Sequence, residues 1–110
     1  MEGVERVHPR VAASEQELAD FCRRWKIAKL ELFGSVLRDD FDERSEIDVL
    51  VTFDRAPEQR LDTFLSMEEE LQRMFGRHVD VVDRRLVEAN PNWIRRRSIL
   101  QSAQLLYAAA

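Results

Sequence analysis

The stretch that most constrains this chain runs from Leu32 to Phe53, LFGSVLRDDFDERSEIDVLVTF. An apolar run ends at Gly34-Ser35, a polar segment follows, and a second apolar run opens with Glu46 and Asp48 flanking Ile47. The β-branched residues after Asp48 predict a central strand over Glu46 to Phe53. A strand of this kind accepts carboxylates only where a cation or a hydrogen-bond network meets them, because burying an unpaired charge is costly. Alternation along the strand turns Glu46 and Asp48 to one face and Ile47, Val49 and Val51 to the other. Two oxygen donors side by side suit a hard divalent cation such as Mg²⁺. Gly34 lets the backbone approach a ligand closely, and N–H groups at Gly34-Ser35, opening a helix, form an anion site. A phosphate cradle beside a metal-binding acid pair is the equipment for handling a nucleoside triphosphate.

The flanking sequence predicts an α/β (α+β) fold, a small mixed β-sheet with helices packed on it. Ser14 and Glu17 match a capping box, opening a helix to about Lys26 with Leu18, Phe21, Cys22 and Trp25 on one face. A strand over Lys29 to Phe33 sets Leu30 and Leu32 against Lys29 and Glu31. From Ser35 to about Phe41 the pattern predicts one or two helical turns, which would bring Arg38 round to the ligand of Ser35. Asp42 to Ser45 is turn-forming, and Asp54 to Arg60 is a loop. A longer helix from about Leu61 to Phe75 carries Leu61, Phe64, Leu65, Leu71, Met74 and Phe75, and Gly76 stops it. In the strand Arg77 to Asp83, Asp80 again interrupts apolar residues. Leu86 to Asn90 is a short helical turn or loop. A last helix runs from an Asn90 or Asn92 cap to about Ser102, and Gln104 to Tyr107 adds a short strand. Residues 1–13 are polar, contain Pro9 and lack periodicity, which predicts a loosely held arm, leaving residues 14–110 as a single domain.

Several function classes are disfavoured. No apolar run approaches the roughly 20 residues that cross a bilayer, and the N-terminus lacks a signal-peptide core, so the expected location is the cytoplasm. The single Cys22 allows no internal disulfide and reads as a core residue. A net charge of −4 argues against nonspecific nucleic-acid binding. Arg95, Arg96 and Arg97 point in different directions on a helix, as on a solvated face. His78 reads as a half-exposed strand histidine, with metal ligation as the alternative. Trp93 and Tyr107 are candidates for either an interface or the core.

Gly34-Ser35, ten residues, then Glu46-Ile47-Asp48 resembles the signature of the DNA polymerase β-like nucleotidyltransferase superfamily, in which Gly-Ser precedes Asp-x-Asp at this spacing. LELFGS, Arg38, IDVLVTF and the VDVV around Asp80 resemble the minimal nucleotidyltransferases, over about Leu18 to Tyr107. The resemblance implies that Glu46, Asp48 and Asp80 act as catalytic residues binding two Mg²⁺ ions. It implies that Gly34 and Ser35, with Arg38, bind the nucleotide, ATP. The implied activity is transfer of AMP to a hydroxyl, with the acceptor a tyrosine of a helical HEPN partner and the chain acting as antitoxin to that toxin. Two positions depart from the family pattern: Glu46 is one methylene longer than the usual Asp, and Asp39 stands where many relatives have glycine. The alternative is a catalytically degenerate module that neutralises its partner by contact. A third reading, small-molecule modification as in aminoglycoside nucleotidyltransferases, needs a homo-oligomer to build the acceptor pocket.

Overall fold

The acid-bearing stretch lies at the centre of a four-stranded mixed sheet. The computed structural model describes residues 6–8, 10–42 and 44–109. Its elements are β1 (Arg6–His8), β2 (Val11–Ser14), α1 (Glu15–Trp25), β3 (Ile27–Phe33), a 3-10 turn (Gly34–Leu37), β4 (Ile47–Phe53), α2 (Arg60–Phe75), β5 (Val79–Asp83), α3 (Arg84–Glu88), α4 (Trp93–Ser102) and β6 (Gln104–Ala108). The main sheet has the order β5-β4-β3-β6, and β1 and β2 form a separate antiparallel pair. Strand β3 pairs antiparallel with both β4 and β6. Strands β4 and β5 are parallel, and α2 is the crossover that such a pair needs.

Local chemistry explains the helix ends. The Ser14 Oγ accepts from the Glu17 N–H at 3.1 Å, and Glu17 Oε1 accepts from the Ser14 N–H at 3.0 Å, completing the expected capping box. Helix α1 ends at Lys26 in a left-handed conformation and buries Leu18, Phe21 and Cys22. Burial pushes the Cys22 thiol up to about 12, which leaves it inert as a nucleophile. Helix α2 ends at Gly76, whose φ of 72° is the left-handed stop. Its buried stripe is Met67, Leu71 and Phe75. Leu61 and Leu65 lie roughly 80° and 120° round the helix from the centre of that stripe, and both are exposed. Together with Leu30, Leu32, Ile47, Val49 and Val51 from the sheet, the buried residues of the two helices form the core.

The N-terminal reading needs correction. Val11 and Ala13 are buried, and β2 contacts both α1 and α2, so residues 11–13 belong to the packed structure. Two short apolar side chains in a four-residue strand are too few to produce visible periodicity, yet they fill the space between the helices. The remainder of the arm, residues 1–5 and Pro9, lies outside the described residues, as does Glu43 of the Asp42 to Ser45 turn. Among the described residues no helix is long and apolar enough to cross a membrane.

Candidate functional site

The parallel pairing of β4 and β5 places Asp48 directly opposite Asp80, and Ile47 opposite Val79. One step earlier, the Ile47 N–H donates to the His78 carbonyl at 3.0 Å. Glu46 and His78 therefore sit side by side just ahead of the two strands, which begin at Ile47 and Val79 rather than at Glu46 and Arg77. Ligand atoms of Glu46, His78 and Asp80 lie within 4.8 Å of one another, and all three residues are exposed. Asp48 is half-buried, and its carboxyl is held above the usual carboxylate range, first by desolvation, then by the charges of Asp80 and Glu46. The nearby Arg38 and His78 act in the opposite direction. A carboxylate group so arranged fits a divalent cation, since its charges are close together and offset by few fixed cations.

Beside this cluster the chain leaves β3 through Gly34, at φ 77°. A Cβ at this position would run into Asp48 Oδ2, so glycine serves both the left-handed backbone and the close approach. The predicted one-to-two-turn helix after Ser35 is a single 3-10 turn, and Arg38 is already extended. The polar residues from Arg38 onward bury too little surface to hold a longer helix. Ser35 is not a side-chain cap; its Oγ donates to the Glu46 carbonyl at 3.1 Å, tying the loop to the start of β4. Two arginines brace the following segment. Arg10 Nη1 donates to the carbonyls of Val36 and Arg38 at 2.8 and 2.6 Å, and Arg77 Nη1 to those of Asp42 and Ser45, both at 2.9 Å. Their guanidiniums lie 5.2 and 4.4 Å from the centre of the Phe41 ring.

An open cleft of about 760 Å³ adjoins the acids. Phe33, Gly34, Leu37, Arg38 and Asp48 line one side, and Asn92, the N-cap of α4, with Arg95 and Ser98 of that helix, the other. Arg95 is exposed, as helical spacing suggested, and its solvated side chain lines the cleft. The Asn92 side chain accepts from the Arg95 N–H at 3.1 Å and caps α4, as expected. Arg38 also lines the cleft and forms an exposed ion pair with Asp40 at 3.4 Å. Asp83 is directed away from the cluster: it is buried, accepts from Arg60 at 2.6 Å, and caps α3.

The chain matches the nucleotidyltransferase domain family over residues 15–106. It is 32% identical to the protein adenylyltransferase MntA of Thermococcus cleftensis over 79 residues, which covers 72% of this chain and 75% of that protein. In fold it resembles a toxin–antitoxin structure solved with AMP-PNP, with a TM-score of 0.64 at 18% identity over 86% of this chain and 73% of that one. It also resembles a chain in the complex of a tri-AMPylated Shewanella oneidensis HEPN toxin with an MNT antitoxin, with a TM-score of 0.57 at 18% identity, covering 86% and 70% of the two chains.

Proposed function

This chain belongs to the nucleotidyltransferase domain family, and on that premise we propose that it is a Mg²⁺-dependent adenylyltransferase moving AMP from ATP to a hydroxyl, a tyrosine of a HEPN-type partner. The observation that carries this reading is Asp48 in register with Asp80, Glu46 alongside, and Gly34 against the Asp48 carboxylate.

Glu46, Asp48 and Asp80 would hold the metal, two ions by family resemblance, which when bound neutralises the carboxylates and stabilises charge on the reacting phosphoryl oxygens. Gly34 and Ser35 offer backbone N–H groups to the phosphates. Arg38 and Arg95, on opposite sides of the cleft, supply guanidinium forks that match phosphate oxygens. Asp80 is exposed and takes the proton of the incoming hydroxyl. The acceptor oxygen bonds to the α-phosphorus as the bond to the bridging oxygen breaks, and pyrophosphate leaves. Support for a partner comes from Leu86, Trp93 and Ile94, which are exposed on α3 and α4 and offer apolar surface. The tri-AMPylated HEPN toxin in the related complex supports that class of partner and an antitoxin role. Residues 14–110 would form the catalytic domain, and the cytoplasm would supply ATP and keep Cys22 reduced.

The test is intact-mass spectrometry of the HEPN partner incubated with this protein, ATP and Mg²⁺. One or more AMP units should be added, and none with Asp48→Asn. A second reading, neutralisation by contact alone, is favoured by Glu46, which lies ahead of β4 with its carboxylate 3.7 Å from His78. An unmodified partner that is still bound and silenced would select it.

A further inference from the structure

The sequence triplets Glu46-Ile47-Asp48 and His78-Val79-Asp80 occupy the same register on two parallel strands. Alternation turns the outer residues of both triplets to one face, so His78 stands beside Glu46 as Asp80 stands beside Asp48. The hydrogen bond from the Ile47 N–H to the His78 carbonyl holds this register up to the strand ends. His78 Nε2 and Glu46 Oε1 are 3.7 Å apart, too far for a hydrogen bond. Two donors bound to one ion at about 2.1 Å each are separated by roughly 3–4.2 Å, so this gap suits a shared cation. Asp80 completes a three-donor set.

We propose that His78 is a metal ligand in this site, which makes it a mixed carboxylate–imidazole centre that takes Mn²⁺ in preference to Mg²⁺. Mn²⁺ shares the oxygen ligands of Mg²⁺ and, as a first-row transition ion, also binds nitrogen, the most weakly of its series, whereas Mg²⁺ is held through oxygen and gains little from imidazole. The inference rests on the reading above for the location of the site and adds the identity of one ligand and of the ion.

The test is pulsed electron paramagnetic resonance of Mn²⁺ bound to the intact protein, with Mg²⁺ affinity measured by competition. The wild type should show nitrogen modulation on the Mn²⁺ signal. His78→Asn should remove it and weaken Mn²⁺ binding at least about tenfold, the lower end of what even an outer-shell change costs. Mg²⁺ affinity should be nearly unchanged. His8 is the chain's other histidine, so persistence of the modulation in His78→Asn would overturn the assignment. Mn²⁺ bound without nitrogen modulation, and released by Asp80→Asn, would overturn the role of His78 while preserving the carboxylate site. Absence of any binding sensitive to Asp48→Asn or Asp80→Asn would overturn both.

Discussion

At the scale of single residues, Gly34 and Asp48 act as a pair. Gly34→Ala places a side chain at a left-handed φ and against Asp48 Oδ2, so we expect a stability loss of about 1–2 kcal/mol from the backbone alone. Nucleotide transfer should fall with it, as seen by calorimetry and the mass assay. Asp48 carries a measurable cost of its own. Its pKa is raised in the folded protein, mainly by desolvation, so the native state holds the proton more tightly than the unfolded chain and loses stability as pH rises past 3.8. Without metal, Asp48→Asn should therefore melt above the wild type at pH 7, and the gain should vanish as pH falls below 3.8. With Mn²⁺ or Mg²⁺ present the order should reverse, since the wild type, with one more carboxylate at the site, gains more from binding. The acids were legible in the sequence because an Asp inside an apolar strand is conspicuous. Arg95 was not: the direction of a helical arginine depends on which side of α4 meets the cleft, a tertiary fact. Glu31 was similarly hidden. Strand alternation makes it an outward polar residue, whereas it is buried and accepts from Arg84 at 2.5 Å, a partner 53 residues away.

Among the elements, the connection between β3 and β4 matters most, because it holds both the glycine turn and Glu46. It has little regular structure and relies on Arg10 and Arg77, which meet at Phe41. Phe41 is half-buried, so Phe41→Ala should cost about 1–3 kcal/mol, less than the ~3–5 of a fully buried phenylalanine, and it leaves both guanidiniums without an aromatic face. Amide exchange should accelerate in residues 38–46 while α1 stays protected. Helices α1 and α2 and the main strands were readable from periodicity and caps, to within a residue or two at most ends. The brace was not, since Arg10 comes from the hairpin turn and Arg77 from the approach to β5, and no local pattern joins them. The 3-10 turn was read as a longer helix because Val36 and Leu37 supply an apolar start that the following polar residues do not continue.

For the molecule as a whole, the β1–β2 hairpin is part of the fold. Deleting residues 1–13 removes buried Val11 and Ala13 and uncovers parts of α1 and α2, and we expect a loss of roughly 2–4 kcal/mol, read as a lower denaturant midpoint. An unchanged midpoint would restore the loose-arm reading. The main sheet imposes a different requirement, one of timing. Strand β3 lies between β4 and β6, and Leu30 pairs with Tyr107. At about 5–20 residues per second, Leu30 leaves the ribosome roughly 4–15 s before Tyr107. Throughout that interval the nascent chain has a β3 edge with no neighbour, so the sheet cannot close until Tyr107 has emerged, and until then it is open to chaperones and proteases.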